Sequence, residues 1–132
     1  MKKLIIVIII IFIGIKSNAQ ASNKNPLIDS VFNYLCESKI LHADIVIKQA
    51  VLETGWFKSK FLMNKHNIFA FRKKEYLTFK SWKDCVDYYK TWQKKHYTNP
   101  QENYYQFLVR IKYATPEYPV HLKKINCVKS CN

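Results

Sequence analysis

The sequence predicts a single α+β domain, mostly helical, with about five helices and one small β-hairpin. Three observations carry this. Apolar residues recur at helical spacing behind recognisable caps, as in Asn25-Pro26 followed by Leu27, Ile28, Val31, Phe32 and Leu35. The stretch "NIFAFRKKEYLTFK", Asn67 to Lys80, crowds aromatic and aliphatic residues into two short runs on either side of Lys73-Lys74-Glu75. No repeat or low-complexity linker divides the chain, and its length suits one core.

The first residues, Met-Lys-Lys and then an unbroken apolar run of 12 residues from Leu4 to Ile15, read as a signal peptide. The run is shorter than the roughly 20 residues that span a bilayer, and Ser17 and Ala19 suit cleavage after Ala19. An uncleaved anchor is the alternative. Removing residues 1–19 from the 132 leaves a domain of 113, residues 20–132. Lys2, Lys3 and Lys16 leave with the signal, so 19 of the 22 basic residues face nine acids, a net charge of +10. An anionic partner is expected. For an exported protein that means cell-wall polymer, extracellular polysaccharide or a membrane surface before nucleic acid, for which no recognised motif appears.

The first helix begins at Pro26. The second starts near Ala43 or Asp44, carries Ile45, Val46, Ile47, Ala50, Val51 and Leu52, and ends at Gly55, where a C-terminal cap belongs. The hairpin follows, with strands near Ile68–Arg72 and Tyr76–Lys80. Ser81 and Asp84 form a capping-box pattern for a third helix with Trp82, Cys85, Val86 and Tyr89 inward. Asn99-Pro100 opens a fourth containing Tyr104, Phe107, Leu108 and Ile111. Thr115-Pro116-Glu117 opens the last, running towards Ile125 and starting late because Pro119 lacks an N–H. Cys36, Cys85, Cys127 and Cys131 allow up to two disulfides in an oxidising compartment, with three pairings open. No spacing among them resembles a zinc site, and no cofactor is called for.

Glu53 sits in the last turn of the second helix, facing unpaired carbonyls and neighboured by Leu52, Trp56 and Phe57. Both surroundings raise a carboxyl pKa. A carboxylic acid kept protonated near neutral pH can donate to a departing glycosidic oxygen; the alternative is a surface glutamate near Lys58.

The segment "QAVLETGWFKSKF…HNIFAFR" resembles the signature of the bacterial cell-wall glucosaminidases of glycoside hydrolase family 73, approximately Q-A-x-L-E-[ST]-G-W-G-x-S and then N-[LI]-F-G with a basic residue. "YATPEYPVHLKKI" is similar to the family's Y-A-x-D-P-x-Y and its following helix. The likeness runs from the first helix to Ile125, with its landmarks in order. It implies a lysozyme-like fold and hydrolysis of the β-1,4 bond after N-acetylglucosamine in peptidoglycan by an exported, monomeric enzyme, periplasmic or secreted. Glu53 matches the catalytic acid and Tyr113 the tyrosine that positions the substrate's acetamido group or the attacking water. Trp56, Asn67 and Phe69 match motif positions that either touch sugar or pack the core. Glu75, the only acid between Glu53 and Asp84, is the candidate second carboxylate; without it the substrate's acetamido group serves as nucleophile. The chain departs from the pattern where Phe57 and Ala70 replace glycines and where Thr115 runs directly into Pro116 without the usual aspartate. A lytic transglycosylase on the same fold and a non-catalytic basic glycan-binding module are the rival readings.

Overall fold

The structure, a computed structural model, describes residues 25–132. The expected signal peptide, 1–19, lies outside them. Six helices form among the described residues: α1 (Pro26–Glu37), α2 (Ala43–Thr54), α3 (Lys60–Asn64), α4 (Trp82–His96), α5 (Tyr104–Arg110) and α6 (Tyr118–Lys124). None is long and apolar enough to cross a membrane. The mostly helical reading stands, and the arrangement is in keeping with the lysozyme-like fold that the resemblance implies.

The buried helix α2 organises the rest. Val46, Ile47, Ala50 and Val51 are fully enclosed, and α1 and α6 pack against it. Helix α1 contributes the stripe Ile28, Val31, Phe32 and Leu35, with the Asn25 side chain capping the Leu27 N–H at 2.9 Å. Helix α4 adds Cys85, Val86 and Tyr89 behind its Ser81 cap, and α5 adds Tyr104, Phe107 and Leu108. The fourth predicted helix starts later than Asn99-Pro100, with Asn103 as its cap. The last starts at Tyr118, placing Pro119 in its first turn, where an absent N–H costs nothing. Helix α3, capped by Ser59, was not predicted; five residues are too few to show a helical stripe.

The expected hairpin does not form. Among the described residues no strand is present, and Arg72 and Tyr76 make one isolated antiparallel bridge. The cause is Asn67. Its amide donates to the carbonyls of Phe71 and Leu77, both at 2.9 Å, and accepts from the Phe71 N–H at 2.9 Å. One side chain thus takes the Phe71 N–H and the Leu77 carbonyl, which would bond to each other in a ladder, while the Leu77 N–H still reaches the Phe71 carbonyl at 3.0 Å. Ala70, at φ 54°, also breaks the extension a strand needs.

A disulfide joins Cys36 in α1 to Cys131, with Cα atoms 5.6 Å apart. Cys85 and Cys127 are free and buried. The tail after α6 is therefore tied back onto α1, where Lys129 also pairs with Asp29.

Candidate active site

The end of α2 builds the floor of the site. Gly55 at φ 56°, with Trp56 N–H donating to the Val51 carbonyl at 2.8 Å, caps the helix in a left-handed turn. Trp56 and Phe57 continue left-handed at φ 62° and 60°, and the Thr54 hydroxyl holds the Phe57 N–H at 2.9 Å. This sharp turn carries the chain away and leaves Glu53 at the edge of a cleft of about 420 Å³. Phe69 to Arg72 and Tyr76 form one wall, Trp92 and His96 of α4 another, and Ile111 to Ala114 the third.

Glu53 is half-buried. Removal from water raises its carboxyl pKa above the ordinary range, and the Tyr118 hydroxyl, donating to Oε1 at 2.9 Å, works the other way. Burial is the larger effect. Tyr118 is itself buried, and burial followed by the Glu53 charge pushes its phenol up. Tyr113 stacks on Tyr118 with ring centroids 5.6 Å apart and donates its hydroxyl proton to the Phe69 carbonyl at 2.6 Å. Burial, then Tyr118 and Glu53, raise the Tyr113 phenol far beyond its usual value, so it stays a neutral hydroxyl. Its proton is committed to Phe69, so its oxygen can accept a hydrogen bond from a ligand.

Glu53, Tyr113 and Phe69 come together around the cleft. Asn67 does not reach it: fully enclosed, it holds the 67–77 wall in shape. Trp56 packs against the core outside the cleft lining. Glu75 is exposed in the turn between Arg72 and Tyr76, where the Lys73 N–H donates to its carbonyl at 3.1 Å, and it is not among the residues lining the cleft. The sequence reading missed two residues. Tyr118 was quoted in the "YATPEY" motif but given no role. Trp92, half-buried with its ring 5.5 Å from that of Tyr113, offers the site a large ring suited to a sugar face; it stands three residues after the inward Tyr89, a spacing that does not tell a cleft residue from a core one.

The two glycine replacements have a backbone explanation. Phe57 and Ala70 both adopt left-handed φ, 60° and 54°, a conformation glycine takes without strain. The likeness expects glycine where the fold needs that φ, and this chain bears the strain instead. Among the described residues no group of three or more His, Cys, Asp or Glu side chains is placed to hold a metal ion.

A single desolvated carboxylic acid in an aromatic cleft on a helical scaffold is what glycosidic bond cleavage by proton donation needs. Residues 30–127 match the glucosaminidase family, described as mannosyl-glycoprotein endo-beta-N-acetylglucosaminidase. The chain belongs to this family and is a glycoside hydrolase acting on a glycan. No curated protein and no solved structure matches it. Family membership sets the enzyme above the non-catalytic binding module.

Proposed function

We propose that the chain is an exported peptidoglycan hydrolase that cleaves the β-1,4 bond after N-acetylglucosamine, with Glu53 as general acid. The observation that carries this is that Glu53 is the one carboxylate among the residues lining the cleft, and that burial favours its protonated form. The Cys36–Cys131 disulfide suits an oxidising compartment. The positive charge, continued into the cleft by Arg72 and Lys112, suits an anionic wall.

In the first step Glu53 gives its proton to the glycosidic oxygen as the bond to C1 breaks. The substrate's acetamido carbonyl oxygen forms the new bond to C1 from the opposite face. Tyr113 accepts the acetamido N–H and holds the group in line. Water then attacks C1 as the bond from C1 to the acetamido oxygen breaks, which regenerates the acetamido group, and gives its proton to the Glu53 carboxylate. The C1 configuration is retained and the acid restored. Glu75 takes the second-carboxylate role only if the 72–76 turn closes over the cleft; the product would then be inverted, as a water between two separated carboxyls requires.

The test is product analysis on purified peptidoglycan. Retained, reducing-end N-acetylglucosamine with Glu75→Gln near full activity supports the substrate-assisted route. Inversion together with an impaired Glu75→Gln assigns Glu75 as base. A 1,6-anhydro product overturns hydrolysis in favour of a transglycosylase.

A further inference from the structure

The cleft wall continues past its rim. Tyr76, which lines the cleft, meets the ring of Phe61 on α3 edge to face, with centroids 5.4 Å apart. Phe61 is 56% exposed and Tyr76 36%. Exposed rings in contact make a continuous apolar ledge, which single scattered ones do not. The backbone holds the ledge in place on both sides. The Phe79 N–H donates to the carbonyl of Lys65, the residue closing α3, at 2.9 Å, and the Arg72–Tyr76 bridge fixes the other ring.

Each ring carries a cation. The Arg72 guanidinium lies over Tyr76, 5.2 Å from the centroid, and the Lys65 ammonium over Phe61 at 5.3 Å. Arg72 Nε donates to the Lys74 carbonyl at 3.4 Å, which orients the guanidinium without using its two terminal nitrogens. Among the described residues the ion pairs are Arg110–Glu102 and Lys129–Asp29. Arg72 and Lys65 therefore face no carboxylate of the protein, and Glu75 in the same turn pairs with neither. A neutral sugar on this ledge would use the rings and leave both charges unmatched. A short acidic peptide uses both, with carboxylates on the cations and small apolar side chains on the rings.

In peptidoglycan every second sugar bears such a peptide through a lactyl ether. A strand cut after N-acetylglucosamine thus carries an acidic peptide on the sugar next to the cleaved bond. We propose that Phe61, Tyr76, Lys65 and Arg72 bind the acidic stem peptide of the strand held in the cleft and make the enzyme selective for peptide-bearing strands. The inference rests on the reading of the substrate as peptidoglycan, and assigns to the ledge the part of that substrate which is not sugar.

The experiment measures binding by calorimetry in the whole protein carrying Glu53→Gln, so that turnover does not intrude. The probes are soluble glycan strands with intact stem peptides and the same strands with their stem carboxyls converted to amides. The intact strands should bind roughly five- to tenfold more tightly, the sum of two exposed charge contacts. Lys65→Gln with Arg72→Gln should bring the two affinities to within about twofold, and each single change should remove part of the preference. Lys90→Gln with Lys94→Gln removes the same charge from a different hollow, on α4, and should keep the preference. Equal binding of the two probes, or a preference that survives in the folded Lys65/Arg72 variant, overturns the proposal. A preference lost equally in the Lys90/Lys94 variant also overturns it, because net charge and not the ledge would then be responsible. The two readings fail separately. Selective binding by a wild type that releases no reducing ends would sink the hydrolase and keep the ledge; release of reducing ends without selective binding would do the reverse.

Discussion

Replacing both Cys36 and Cys131 with serine should cost the domain much of its stability. The bond spans a sequence separation of 95 residues, for which the chain-entropy relation gives about 4.7 kcal/mol. Domains of this size have only about 5–15 kcal/mol in all. At about 4 °C per kcal/mol the midpoint of thermal unfolding should fall by roughly 20 °C. The double variant is needed because Cys127 could pair with whichever partner a single one left free. Unfolding is followed by circular dichroism, with peptide mapping to show that wild type holds Cys36–Cys131 and no other bridge. The consequence reaches the site, since the tied tail follows α6, which packs on α2 and carries Tyr118. A double variant melting within about 3 °C of wild type would refute the reasoning.

Three further outcomes are expected. Tyr113→Phe should lower kcat by roughly tenfold with little change in KM, because its oxygen acts on the acetamido group mainly in the transition state; a raised KM with unchanged kcat would make it a simple binding residue. Ala70→Gly should stabilise the fold by about 0.5–1 kcal/mol in urea unfolding, since it relieves a left-handed φ of 54°, and destabilisation would show that the Ala70 methyl packs usefully. The raised folded pKa of Glu53 means its stabilising contribution is full below the unfolded carboxyl value of 4.5 and is lost as pH rises through the folded one. Glu53→Gln, which never ionises, should therefore gain melting temperature relative to wild type between pH 4 and pH 8; a gap that stays flat or narrows contradicts a desolvated carboxyl.

The helices that could be read are those whose signal is local. Asn25, Ser81 and Gly55 cap from their own side chain or φ, and the α1 stripe repeats over three turns. The hairpin stops at one bridge because Asn67 takes the Phe71 N–H and the Leu77 carbonyl that the next pair of ladder bonds needs, a choice the two apolar runs do not reveal. The disulfide was open for the same reason, since Cys36 meets Cys131 only through the return of the tail. At the site, the place of Glu53 at the end of α2 was legible from the helix pattern and its cap, and the family resemblance is what singles it out as the candidate acid. Tyr118 was not, because its partner lies 65 residues away.

The most direct test of the account is the rate at which Glu53→Gln releases new reducing ends from purified peptidoglycan, measured beside wild type with both shown to be folded. The near-isosteric amide keeps the cleft and can still accept from Tyr118, but it has no acidic proton to give. A loss of roughly 10²–10⁴ is predicted; activity within about tenfold of wild type would contradict the assignment of Glu53 as the general acid.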